Sequence, residues 1–259
     1  MNEAWKIEQC TVADASALAR NNISAFWEDP NWILSWSKDM PLEYLIEQSE
    51  KRQANNLLRS REDRRHIKAI DPATGKLVGY ARWVLPSSHV TAPDGSPEWV
   101  QAQVPDVEEV EKKRLQELAA SAWWEPRADV GEIDVPVTAI KNRHLASRPY
   151  ICMILAFRPF SPSPDSNMDL FFYLLALDYL AVHPDNKGKG IATALVESGV
   201  KYAKSVGIPI FVLAFKAGVG VYSRLGFREV ERLIQDDSKY GGPGEYGSYF
   251  MVYDVAPKV

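Results

Sequence analysis

Cysteine is nearly absent from this chain of 259 residues. Cys10 and Cys152 are its only two, too few for a disulfide framework or a multi-cysteine zinc site. They read as reduced, buried thiols, and a reducing, cytoplasmic setting is the expectation. Histidine is scarce as well. His66, His89, His144 and His183 are scattered without His-x-x-x-His spacing, so no metal is expected. Positive charge is not in excess: 30 Lys+Arg stand against 34 Asp+Glu, a formal net charge of −4, which argues against a nucleic-acid partner. Long apolar runs are missing too. The longest, 170–182, is interrupted by Asp178 and falls short of the roughly 18 residues of a membrane-spanning helix, so no membrane association is expected. The first seven residues lack a basic run leading into an apolar stretch, and no secretory signal is expected from them.

What is present is an ordinary globular composition, 46% hydrophobic and 25% charged, with 8 Trp, 11 Tyr and 9 Phe as its one surplus. The length allows one enlarged domain or two small ones. The aromatic surplus has two readings, a well-filled core or an aromatic-lined pocket.

Residues 5–11 alternate as a short strand does. A helix follows, capped by Thr11 or Asp14, with Ala15, Leu18, Ala19, Ile23 and Phe26 at helical spacing until Pro30 forbids continuation. Pro41 opens a second amphipathic helix that runs through Arg59, and the Trp-rich turn 31–40 joins the two. Residues 66–70 and 76–85, joined by Asp71-Pro72-Ala73-Thr74-Gly75, read as a β-hairpin. The mixed-charge run 59–65 reads as a solvated face.

From Pro86 the composition shifts to Ser, Pro, Asp and Gly, and no strand pattern returns until about Leu174. A helix is expected over 107–124. Its acidic start (Asp106, Glu108, Glu109, Glu111) suits the positive end of the helix dipole. A weaker helix is expected near 134–144. Residues 86–165 are thus expected to elaborate one domain spanning 1–259, with 1–85 as its N-terminal half and 166–259 as the half that carries the chemistry.

The chemistry concentrates where an apolar strand, 175–182, runs into His183-Pro184-Asp185-Asn186-Lys187-Gly188-Lys189-Gly190 and then a helix ending near Gly207. Strand, glycine turn and helix start together aim several backbone N–H groups and a helix dipole at one point, as phosphate sites do. Two nucleotide-binding patterns fail on spacing. Ile191 follows Gly190 where a P-loop needs Lys-Ser/Thr, and the third glycine of the dinucleotide fingerprint is missing.

The segment resembles instead the acetyl-CoA-binding motif of the GNAT superfamily of N-acetyltransferases, Val-x-Pro-x-x-Gln/Arg-x-x-Gly-x-Gly/Ala. Val182, Pro184, Gly190 and Ala192 match it, with Lys187 in the Gln/Arg position. Lys187 can supply a point charge beside pyrophosphate without the bidentate fork of Arg. A second stretch, Tyr222-Ser223-Arg224-Leu225-Gly226-Phe227, resembles the family's Tyr-x-x-x-Gly-Phe signature, after a strand over 208–215. Phe215 stands where many members carry Asn. Strands are expected over 227–234 and 248–255.

The resemblance implies an α/β (α+β) fold with a mixed, mostly antiparallel central sheet flanked by helices, here with a helical insertion. It implies acetyl-CoA as cosubstrate, held by Leu180, Ala181, Val182, Lys187, Gly188, Lys189, Gly190, Ile191, Ala192, Thr193 and Tyr222. It also implies Tyr222 as the acid that protonates the departing thiolate, a task suited to a phenol that is protonated at neutral pH. Asp178, four residues before Val182, is the first candidate for the base and His183 the second. Phe26, Trp27, Trp32 and Trp36 fall in the region expected to close over the acceptor, with Trp83, Trp123 and Trp124 as further candidates. The expected activity is acetyl transfer to a primary amine of a small molecule by direct attack, since no nucleophilic triad can be assembled. The alternatives are a protein or peptide acceptor, or an acyl-CoA-binding protein without catalysis.

Overall fold

The computed structural model describes residues 5–147, 151–154 and 179–255. The N-terminal part contains β1 (Lys6–Gln9), α1 (Ala15–Trp27), α2 (Leu42–Leu58), β2 (Arg64–Ile70) and β3 (Leu77–Val84). After it come α3 (Glu109–Ala120), α4 (Asp134–Ser147), β4 (Ile151–Ile154) and β5 (Leu180–Val182). The chain continues through α5 (Ile191–Val206), β6 (Ile210–Phe215), α6 (Lys216–Arg224), β7 (Arg228–Asp236) and β8 (Glu245–Tyr253). The eight described strands form one sheet in the order β1-β2-β3-β4-β6-β8-β7, with β5 also paired to β3. All pairings are antiparallel except β4 with β6. The expected mixed, mostly antiparallel sheet with flanking helices is what forms.

α1 is amphipathic as its spacing requires, burying Leu18, Ala19, Ile23 and Phe26. Its entry is fixed by Asp14, whose carboxylate accepts from the Thr11 N–H (2.7 Å) and pairs with Lys68 on β2 (2.7 Å). α5 lies close against β3 because two glycines leave room. A Cβ on Gly79 of β3 would stand 2.5 Å from Ile191 Cγ2, and one on Gly199 of α5 would stand 2.0 Å from Trp83 Cζ2. Between these contacts Ile191, Leu195, Val196 and Ala203 are buried under the helix. Gly207, with φ of +79°, ends it in the left-handed conformation that glycine adopts without strain.

Two expectations are corrected. Ile151–Ile154 is a strand inside the stretch where none was expected, and the sheet resumes at 151 within the range 86–165. Ile151-Cys152-Met153-Ile154 shows no polar–apolar alternation, so periodicity cannot separate it from a loop or helix fragment. The run 59–65 is not wholly a solvated face, because Arg65 is fully buried. Its guanidinium donates to the carbonyls of Glu98 (2.7 Å), Arg61 (2.9 Å) and Arg64 (2.8 Å), which ties the loop before β2 to the segment near Trp99. Cys10 is buried as a thiol should be; the side chain of Cys152 lies outside the described residues.

β4 and β5 share one position in the sheet. Both run antiparallel to β3, β4 opposite Val84 and β5 opposite residues 79–81. β4 then stays with β6, pairing as far as Ile154 with Leu213, while β5 stays with β3. The sheet therefore forks: no described strand lies between β5 and the last two residues of β6.

Candidate active site

The fork exposes main-chain groups. The Arg82 N–H donates to the Tyr179 carbonyl (2.8 Å), and antiparallel pairs alternate between bonded and non-bonded positions. Tyr80 and Ala181 are thus the next bonded pair, and Leu180 and Val182 turn their N–H and C=O groups away from β3 into the fork. Asn21 of α1 pins this strand. Its Nδ2 donates to the Ala181 carbonyl (3.2 Å) and its Oδ1 accepts from the His183 N–H (3.1 Å). Sequence reasoning missed Asn21; the signal was two asparagines, Asn21 and Asn22, on the buried side of an otherwise apolar helix face.

From β5 the chain makes a short turn over Pro184–Asn186 and reaches Gly188 (φ +76°) and Gly190 (φ +80°). Both are exposed, and a Cβ at either would meet nothing within 4 Å. Such left-handed positions favour glycine and let a ligand approach the backbone. The first bond of α5 runs from the Ala194 N–H to the Gly190 carbonyl (3.0 Å), so the N–H groups of Ile191, Ala192 and Thr193 emerge unshared at the positive end of the helix. The loop is braced from β1's side by Trp5, whose Nε1 donates to the Lys189 carbonyl (3.0 Å). Glycines with open space above them, unshared N–H groups and a strand edge left unpaired among the described residues fit a ligand that has both a pyrophosphate and an amide-bearing arm.

Lys187 takes a different post from the one expected. Its ammonium is ion-paired with Glu28 at the end of α1, and its N–H donates to the Pro184 carbonyl (3.1 Å). The N–H groups open to a ligand therefore begin beyond it. Lys189 reaches Asn186 Oδ1 (2.8 Å). His183 is held in the turn, with Nδ1 facing the Asp185 N–H at 3.3 Å. Asp178 lies outside the described residues.

Tyr222 is fully buried on α6, the helix that leaves the C-terminal end of β6. α5 leaves β5 at the same edge, because β5 and β6 run parallel. Its ring packs edge-on to Phe227 (centroids 5.4 Å apart). Burial pushes its phenol well above the ordinary value, which keeps it protonated. Phe215 precedes α6 as its N-cap and packs half-buried against the core.

Of the acceptor-side aromatics, Phe26, Trp32 and Trp36 are buried and Trp27 is half-buried. The three buried rings form a chain of contacts that Trp27 does not join: Phe26 with Trp32 (5.8 Å), Trp32 with Trp36 (5.5 Å), and Trp36 with Trp124 (4.9 Å) and Trp123 (6.2 Å). Phe26 also touches Tyr179 (5.3 Å), which leads directly into β5. Trp83 does not join them; it lies under Gly199 of α5 and beside Trp99. Among the described residues no group of three or more His, Cys, Asp or Glu could hold a metal, and no helix is long and apolar enough to cross a membrane.

Residues 154–229, which span both glycine turn and Tyr222, match the family model for an acetyltransferase (GNAT) domain. That segment is similar to a GNAT acetyltransferase domain. Solved structures of acetyltransferases carry the same fold over nearly the whole chain. A Corynebacterium glutamicum protein described as "histone acetyltransferase HPA2 and related acetyltransferase" is similar at 15% identity with a TM-score of 0.54, covering 99% of each chain. A polyamine N-acetyltransferase of Drosophila melanogaster, described as forming N-acetylagmatine, is similar at 13% identity with a TM-score of 0.51 over 97% of this chain and 100% of its own. No curated protein sequence matches the chain.

Proposed function

We propose that this chain is a GNAT acetyltransferase and uses acetyl-CoA to acetylate a primary amine of a small molecule by direct attack. The observation that carries the reading is the glycine turn at the end of β5, where a bare strand edge and the start of a 16-residue helix converge. In this reading the N–H groups from Gly188 to Thr193 bind pyrophosphate. Leu180 and Val182 bind the amide-bearing arm along the fork, as an added strand would. Acetyl-CoA when bound supplies an acyl group activated as a thioester.

The chain's own residues then have three tasks. The open backbone of the turn and β5 fixes the position of the acyl group, which converts transfer into an oriented, near-unimolecular event. The amine must lose a proton before it attacks; Asp178 is the proposed base, with His183 or water as alternatives. Tyr222 holds a proton on its phenol Oη and delivers it to the sulfur that leaves, and its raised pKa keeps that proton in place until negative charge develops nearby. Phe26, Trp27, Trp32 and Trp36 form the wall on the acceptor side, reached from β5 through Tyr179. A small acceptor suits this wall better than a polypeptide because the rings form a closed, largely buried cluster.

The test is release of free thiol from acetyl-CoA over a panel of primary amines and peptide N-termini with the full chain. Turnover of small amines, lost in Asp178→Asn, supports the reading. Turnover of peptides alone, or acetyl-CoA binding without turnover of any amine, overturns it.

A further inference from the structure

α2 presents an unusual face to α3. Arg52, Asn55, Asn56 and Arg59 follow the i, i+3, i+4, i+7 spacing of one helix stripe, the stripe that normally carries apolar residues where helices pack. With Gln116 of α3 they line a cavity of about 410 Å³. Among the described residues, none of these five side chains has a hydrogen-bond acceptor or a carboxylate as partner. Carboxylates are not scarce nearby. On the same helices Lys51 pairs with Glu47 (3.1 Å), Lys112 with Glu109 (2.6 Å) and Arg114 with Glu111 (2.6 Å).

Arg52 is nevertheless held firmly. Its guanidinium lies over the Trp124 ring at 4.3 Å from the centroid. Burial pushes its pKa down to about 10, Arg59 adds repulsion, and only the phenol of Tyr179 opposes them. Stacking fixes the plane of a guanidinium without using its N–H groups, which leaves a donor fork of the kind that binds carboxylate or phosphate in two-pronged fashion. Two neighbouring cations with amide donors around them form a site complementary to one oxyanion.

Arg52 also belongs to the acceptor wall. Trp124, on which it stacks, touches Trp36, which meets Trp32 and through it Phe26, the ring that touches Tyr179 just before β5. The groove and the proposed acceptor site therefore share a boundary. We propose that this groove is an oxyanion subsite that takes the acidic group, carboxylate or phosphate, of the amine acceptor. This rests on the reading of the chain as a small-amine acetyltransferase and narrows it to amines that also carry an acid. An acceptor with a second cationic group would meet Arg52 and Arg59 instead of a counter-charge.

Two measurements test it, one without turnover. An amine-blocked acid, N-acetylglycine, and inorganic phosphate are titrated into the full chain, read by calorimetry and by the fluorescence of the stacked tryptophan. One of the two should bind saturably, and which one binds identifies carboxylate or phosphate as the group recognised. Arg52→Gln and Arg59→Gln should each weaken it tenfold or more; Arg59 is exposed at the end of α2, so its variant keeps the test alive where Arg52→Gln folds poorly. In the kinetic arm, an amine and its carboxylate-bearing counterpart are compared. The acid-bearing amine should have the lower KM, and Arg52→Gln should raise that KM tenfold more than it raises the plain amine's. Failure of both anions to bind, or wild-type affinity in both variants, overturns the subsite. Arg52-dependent binding with no preference between the paired amines overturns its assignment to the acceptor. Absence of thiol release with every amine would be a failure of the acetyltransferase reading, told apart because the titration needs no turnover.

Discussion

Replacing Gly190 by alanine separates a backbone cost from a binding cost. At φ of +80°, an L-residue other than glycine loses roughly 1–2 kcal/mol in the left-handed region, and the reduced freedom of the unfolded chain returns about 0.4–1 kcal/mol. The net is about 0.5–1 kcal/mol, or roughly 1–4 °C in Tm for a chain of this size. No steric term adds to it, because a Cβ there meets nothing within 4 Å. That open space is where an anion must approach the N–H groups of Ile191 and Ala192, and each hydrogen bond to a charged group contributes about 1.5–3 kcal/mol. Displacing one such bond weakens acetyl-CoA binding by roughly tenfold to a hundredfold or more. Gly95 is the control. Its φ is +85° and its space is equally open, but it lies in the loop leading to Glu98, which meets Tyr202 toward the far end of α5. Gly95→Ala should lower Tm by the same few degrees and leave acetyl-CoA affinity untouched. Calorimetric titration of both variants decides the matter; equal affinities for acetyl-CoA would refute the assignment of the turn as the anion cradle.

Tyr222→Phe should lower kcat about a hundredfold or more while acetyl-CoA still binds. Because burial raises the phenol's pKa, the wild-type pH–rate profile should show no basic limb from this group below about pH 10. Gly199→Ala would force a methyl into the space of the Trp83 ring, 2.0 Å away, and should cost about 1–3 kcal/mol by overpacking, read as a lower urea midpoint. His66 is buried, with its Nδ1 2.7 Å from the Tyr80 hydroxyl. Burial first, then Arg82, Arg64 and Arg65, hold its pKa well below the ordinary value. The unfolded chain therefore takes up a proton near pH 6.5 that the folded chain refuses. Its contribution is complete above that pH and should fall by up to about 1.4 kcal/mol per unit as pH drops from 6.5 toward 5.5. Urea midpoints across that window, flattened in His66→Asn, check it.

Much of the fold was legible because most elements announce themselves locally. α1, α2, the β2–β3 hairpin and α5 each carry a period, a cap or a turn that needs no distant partner. β4 does not: four apolar residues acquire strand character only from β3 and β6 on either side. Arg65 misled for a related reason, since its guanidinium becomes internal only when the Glu98 carbonyl from another segment joins the Arg61 and Arg64 carbonyls of its own run. At the candidate site, the glycine turn and Tyr222 were visible as spacing. The ion pair of Lys187 with Glu28 and the two hydrogen bonds of Asn21 with Ala181 and His183 join residues roughly 160 apart in sequence, and no window contains both partners. The stripe from Arg52 to Arg59 was present in the sequence as a polar face, unremarkable until α3 was found packed over it.

The fork in the sheet also bears on how the molecule comes apart. Among the described residues, one half-sheet contains β1, β2, β3 and β5 and the other β6, β7 and β8, and the four residues of β4 join them, through a single paired position on the β3 side. A junction so short is where partial opening is cheapest, and amide hydrogens of β4 should exchange sooner than those of β3 or β8. A ligand lying in the fork would bond to one half-sheet while resting on the helices of the other. It would act as a clasp, so that loading the site raises the cooperativity of unfolding as well as its midpoint.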